Sequence, residues 1–157
     1  MNDSVNEENF ANLSDFERFL YQVRHGNIQA VEDHIAGGGD LEMTGGKLRG
    51  TILHQASESG HHDIVKILID NGADIFSLDK HDNSALETAA REGHAEVVKI
   101  FVSKMKKEEL NITKDKYHQT ALYKAAAKGH FEVAKILIEA GADETIVTNN
   151  NKTPLQN

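Results

Sequence analysis

The sequence predicts an all-α solenoid: helix-turn-helix repeats joined by β-hairpin fingers, about four repeats plus a truncated C-terminal cap. Three observations predict it. A block of spaced residues recurs: Thr51, Leu53, His54, Ala56, Gly60 and His61 return as Ser84, Leu86, Glu87, Ala89, Gly93 and His94, then as Thr120, Leu122, Tyr123, Ala125, Gly129 and His130. Each block is followed by an apolar run, at 64–69, 97–102 and 133–138. Two of these runs close on Gly-Ala-Asp, at Gly72–Asp74 and Gly141–Asp143. Gly60 to Gly93 spans 33 residues and Gly93 to Gly129 spans 36, and a fixed period in this range marks a stack of supersecondary units.

Each element has its own physical warrant. Thr51, Ser84, Thr120 and Thr153 carry a side-chain oxygen able to accept from the free amides of a first helical turn. Pro154 fills the next slot, where a fixed φ suits helix entry; Ile52, Ala85 and Ala121 replace it in the other copies. Gly26, Gly60, Gly93 and Gly129 each follow a short helix, where a left-handed residue ends it without a Cβ clash. Ala56, Ala89, Ala90, Ala125 and Ala126 let neighbouring helices approach closely. The second helix of each repeat is apolar around much of its surface, as expected of a helix covered from both sides. Ser14 and Glu17 have capping-box spacing for a first helix.

A 33-residue period with a Thr-Pro-Leu-His-like helix start resembles the ankyrin repeat family from about Ser14 onward. The resemblance divides the chain into an acidic flexible tail at 1–13 and one repeat domain at 14–157. Within that domain lie a degenerate capping repeat at 14–46, repeats at 47–79, 80–115 and 116–148, and a partial repeat at 149–157. In this family the histidines equivalent to His54, His61, His94 and His130 bond backbone groups and hold loops together. The family also presents a concave face of finger tips and first helices. Carried over slot by slot, its contact positions fall on Tyr21, Arg24 and His25 in the first repeat and on Lys47, Leu48, Gly50, Glu58 and Ser59 in the second. They continue on Lys80, His81, Asn83, Arg91 and Glu92, then on Lys116, Tyr117, Gln119, Ala127 and Lys128. The repeat core needs none of these side chains on this reading, and Tyr21, Arg91 and Tyr117 are the strongest anchor candidates because Tyr and Arg dominate binding hot spots.

One stretch departs from the pattern. Where Gly-Ala-Asp is expected after Val102, three extra residues enter a segment rich in Lys and Glu, from Ser103 to Leu110, with no Gly. It reads as a longer second helix with a solvated charged end, or as a distinctive edge that contributes to partner choice.

Composition narrows the function. The formal charge of −8 disfavours broad attraction to nucleic acid or anionic membrane. Residues up to Gly46 are strongly acidic, whereas bases slightly outnumber acids between Lys80 and Lys116. With no Cys there is neither a thiol nucleophile nor a Cys-based zinc site, and the sequence suits a reducing compartment. His61 and His62, about 100° apart on a helix, make a poor chelate. Serines and threonines fall largely at caps, and Glu108–Glu109 lies beside Lys106–Lys107 as a solvated face. The expectation is a non-catalytic monomer without cofactor or metal, cytoplasmic (nuclear or host-delivered as variants), that binds a protein partner as adaptor or inhibitor. The alternative is a structural or regulatory subunit of a larger complex, or a secreted host-directed effector.

Overall fold

The structure, a computed structural model, describes residues 7–154 apart from 48, 147, 149 and 151. Helix α1 covers Glu7–Ala11, and α2 (Asp15–Arg24) and α3 (Ile28–Ala36) form the first repeat. A short hairpin, β1 (Thr44–Gly45) antiparallel to β2 (Gly50–Thr51), leads into α4 (Ile52–Ser59) and α5 (His62–Asp70). The third repeat is α6 (Ala85–Glu92) and α7 (Ala95–Lys104), and the fourth is α8 (Ala121–Ala127) and α9 (Phe131–Glu139). First helices pack in the order α2, α4, α6, α8 and second helices as α3, α5, α7, α9, giving the two layers of a solenoid.

The caps follow the sequence closely. Ser14 and Glu17 form the expected capping box, with the Glu17 amide donating to Ser14 Oγ and the Ser14 amide to Glu17. Ser84 and Thr120 accept from the amides of Glu87 and Tyr123. Gly60 and Gly93 end their helices at φ of 77° and 81°. The core runs as one cluster along the stack: Ile64, Val65 and Leu68 of α5 and Val97, Val98 and Phe101 of α7 are fully buried. One repeat alone could not bury this face, so burial is completed by its neighbours.

Histidines bind each repeat to the one before it. The Nε2–H of His61 donates to the Arg24 carbonyl at 2.7 Å, and that of His94 to Glu58 at 2.8 Å. His130 does the same to Arg91 at 2.9 Å. A carbonyl only accepts, so each bond fixes which ring nitrogen carries the proton. His54 acts within its own repeat and beyond it: Nδ1 accepts from the Thr51 amide, while Nε2–H donates to the Asn83 carbonyl.

Two expectations are corrected. Residues 7–11, assigned to a flexible tail, form α1, and Phe10 meets the Tyr21 ring edge-on at 5.3 Å. The segment after Val102 is not a longer helix. α7 stops at Lys104, Met105 is extended, and a 3-10 turn at Glu109–Asn111 follows. Glu109 accepts the Lys106 amide and Leu110 is buried at 2% exposure, so the insertion folds back onto the stack instead of extending into water.

Candidate functional site

The finger before α6 and the finger before α8 are built alike. Asp79 Oδ1 accepts the amides of His81 and Asn83, and Asp115 Oδ1 accepts those of Tyr117 and Gln119. Each aspartate thereby folds its own loop into a tight turn. The residue before the last finger position is left-handed in all three described fingers: Arg49 at φ 48°, Asp82 at 60° and His118 at 55°. This turn aims residues 80–81 and 116–117 outward.

Between these fingers and the first helices α6 and α8 lies a groove of about 710 Å³. Its walls carry Lys80 and His81 from one finger, Lys116 and Tyr117 from the next, and Arg91 and Lys128 from the helix ends. Tyr117 is 49% exposed, and the Lys116 ammonium lies 4.7 Å from its ring centroid. Arg91 is half-buried and donates through Nε to Glu92 Oε1 at 2.9 Å. Gln119 is half-buried on the same wall.

The remaining sequence candidates lie elsewhere or behave differently. Asn83 is corrected: it lines the groove floor but is buried at 7%, with its amide group on Asp79 and its carbonyl oxygen receiving Lys124. It is needed by the interior, because a buried side-chain amide must find partners. Tyr21 is half-buried between Phe10 and His25, whose ring stacks on it at 4.0 Å. Arg24 donates to Gln55 Oε1 at 2.9 Å, and half-buried Glu58 lends its carbonyl to His94. Lys47 is exposed on the first finger. Leu48 falls outside the described residues. Glu92 belongs to the edge of the site as the partner of Arg91.

Sequence reasoning missed the groove floor. Lys124, 7% exposed, gives its three ammonium protons to Asn83 Oδ1 at 2.5 Å, Asp115 Oδ2 at 2.9 Å and Glu87 Oε2. An ammonium has three donors and no acceptor, so it is fully satisfied. Burial pushes the Glu87 carboxyl above its ordinary value, with Lys124 opposing the shift in part. Burial also pushes Asp115 upward, but the Gln119 amide, Lys124 and the Tyr117 amide together outweigh it and hold its carboxyl below the ordinary range. The one signal available in the sequence was positional: Lys124 occupies the slot of Gln55 and Thr88, an unusual place for a charge.

A second, apolar cleft of about 270 Å³ opens between Phe76 and Leu78 of one finger and Met105 and Ile112 of the inserted segment.

The repeat geometry and the histidine ties define an ankyrin-type solenoid, and the chain belongs to the ankyrin repeat family. Residues 19–113 match the family described as ankyrin repeats (3 copies), and residues 110–156 match ankyrin repeats (many copies). The human Notch-regulated ankyrin repeat-containing protein is 33% identical over 91 residues, covering 56% of this chain and 80% of that protein. The E3 ubiquitin-protein ligase XBAT33 of Arabidopsis thaliana is 48% identical over 46 residues, 29% of this chain and only 9% of the ligase. The potassium channel AKT1 of the same plant is 28% identical over 91 residues, 57% of this chain and 10% of the channel. For these two large relatives the likeness covers a small part of their length. Ankyrin repeats are in general protein–protein interaction modules.

Proposed function

We propose that the chain is a non-catalytic adaptor or inhibitor that receives an acidic segment of a protein partner in the groove between the second and third fingers. The observation that carries the reading is the wall chemistry: Lys80, Arg91, Lys116 and Lys128 converge on one concave surface of a chain whose formal charge is −8. Such a local reversal of sign favours a carboxylate-rich ligand at the groove, while the acidic remainder of the surface disfavours the same ligand elsewhere. Half-exposed Tyr117 supplies the flat, amphipathic contact that anchors in interfaces commonly use. Lys116 beside it keeps a positive charge where an acidic side chain would arrive.

Site-specific photo-crosslinking tests the reading. A crosslinking residue placed at position 117 is expected to capture the partner through a Glu- or Asp-rich peptide, identified by mass spectrometry. The same group at Lys135, exposed on the second helix α9, is the control. Capture from position 135 with none from 117 would move the site to the convex face.

A further inference from the structure

Lys124 touches three separate pieces of chain, and two of them are finger bases. Asn83 closes the second finger, where its amide and side chain both bond Asp79. Asp115 closes the third, with Oδ1 holding the Tyr117 and Gln119 amides while Oδ2 receives Lys124. Glu87, the third partner, lies on α6 and also meets Ser84 at the helix start. The ammonium therefore stands between the base that carries Lys80 and His81 and the base that carries Lys116 and Tyr117.

We propose that Lys124 is a positioning residue that fixes the separation of these two fingers and so sets the width of the groove between them. The equivalent slots make the contrast. Thr88 donates to the Ser84 carbonyl within its own helix, so this slot makes no tie between the first and second fingers there. Gln55 bonds Arg24 and the Gly45 carbonyl, reaching a single finger. Among the described repeats, the fourth alone places a three-donor group in the slot and surrounds it with acceptors from both fingers.

Stability alone does not account for this arrangement. Buried ion pairs replaced by apolar side chains of similar volume are often neutral or stabilising, because both charges lose their hydration on burial. An apolar side chain at 124 would fill the space but could not hold three acceptors in fixed directions. Directional bonding to both finger bases is the property that a purely packing role leaves unexplained.

The inference rests on the groove reading only for its consequence in binding. Finger spacing is measured with no partner present, so either claim can fail alone. The chain has no native cysteine, so nitroxide labels attach only where cysteines are introduced. Labels at K80C and K116C in the full chain report the spacing through dipolar broadening of the EPR spectrum. The parent is expected to give a narrow distance distribution, and K124M a clearly broader one. A pair at K47C and K80C, across the boundary where His54 and not the Lys124 slot joins the two fingers, should give the same distribution with and without K124M. K124M/E87L also removes Glu87, one of the two carboxylates left without the ammonium; the other, Asp115, keeps the Tyr117 and Gln119 amides. The double variant should recover urea resistance lost in K124M while keeping the broad distribution, and it carries the comparison if K124M folds poorly. A parent-like distribution in folded K124M, or a narrow one restored in K124M/E87L, would overturn the proposal and leave the network as packing.

Discussion

His130 ties the start of α9 to Arg91: its Nε2–H donates to the Arg91 carbonyl at 2.9 Å while the Arg91 side chain lines the groove. The ring lies over Gly93, where an added Cβ would come within 2.5 Å of Nδ1 at a φ of +81°. The same pairing joins His94 to Glu58 over Gly60, and His61 to Arg24 over Gly26. These bonds cross repeat boundaries, so their loss should register in global unfolding. His94→Ala leaves the Glu58 carbonyl without this donor and is expected to cost about 1–3 kcal/mol. His81→Ala, at an exposed finger tip, should cost less than about 0.5 kcal/mol. Urea midpoints measure both, and equal losses would contradict the assignment of roles.

Leu68 tests the interior of the stack. It is fully buried on α5, packed from both sides, so Leu68→Ala should cost about 2–5 kcal/mol through lost contacts and a residual cavity. Lys66 on the same helix is exposed and paired with Asp70 across one turn. Lys66→Ala should cost less than about 0.5 kcal/mol, because exposed pairs contribute little. Similar unfolding curves for the two variants would mean that the buried face of α5 is misassigned.

His118 offers a stabilising change. It holds φ at 55°, where a Cβ is crowded and glycine is at ease. Glycine also gains freedom in the unfolded chain, which offsets part of the benefit. The net effect of His118→Gly should be a stabilisation of about 0.5 kcal/mol, read as a higher thermal midpoint. A lower midpoint would show that the imidazole makes a contact worth more than the strain.

The His54 ring gives stability a defined pH dependence. Nδ1 accepts the Thr51 amide and Nε2 donates to Asn83, so a second proton would break the Thr51 bond. Burial lowers the His54 pKa from its ordinary 6.5, against the upward pull of the Asn83 carbonyl and of Asp79, Glu42 and Glu58. The unfolded chain therefore takes up this proton at higher pH than the folded chain. Its contribution to stability is complete above about 6.5 and is lost as pH falls through that value toward the folded one. His54→Gln, which cannot take up that proton, should be less stable near neutrality and should lose less on acidification. A difference between the two proteins that stays constant from about pH 7 to about pH 5 would contradict this.

Local chemistry made much of the fold legible. Caps at Ser14, Ser84 and Thr120, left-handed glycines and the apolar face around Leu68 depend on neighbours within one or two turns, so sequence spacing reveals them. Helix α1 was hidden because its polar sequence gains order through Phe10 against Tyr21, a contact outside the repeat pattern. The inserted segment misled because its charges suit a solvated helix, whereas Leu110 decides its path by entering the core. Asn83 and Lys124 were illegible for a related reason. They are 41 positions apart, and neither would be buried without Asp115 and Glu87 arriving from two other elements. Slot equivalence located the groove walls but could not distinguish an outward residue such as Lys80 from an inward one such as Asn83.

The groove itself is tested most directly by titrating the captured partner against Arg91→Ala/Tyr117→Ala, with circular dichroism confirming that the double variant remains folded. Neither side chain belongs to the buried core, so the fold should be kept. If the two residues anchor an acidic segment, affinity should fall by about 2 kcal/mol or more, roughly thirtyfold in Kd. Unchanged affinity in the folded variant would contradict the account.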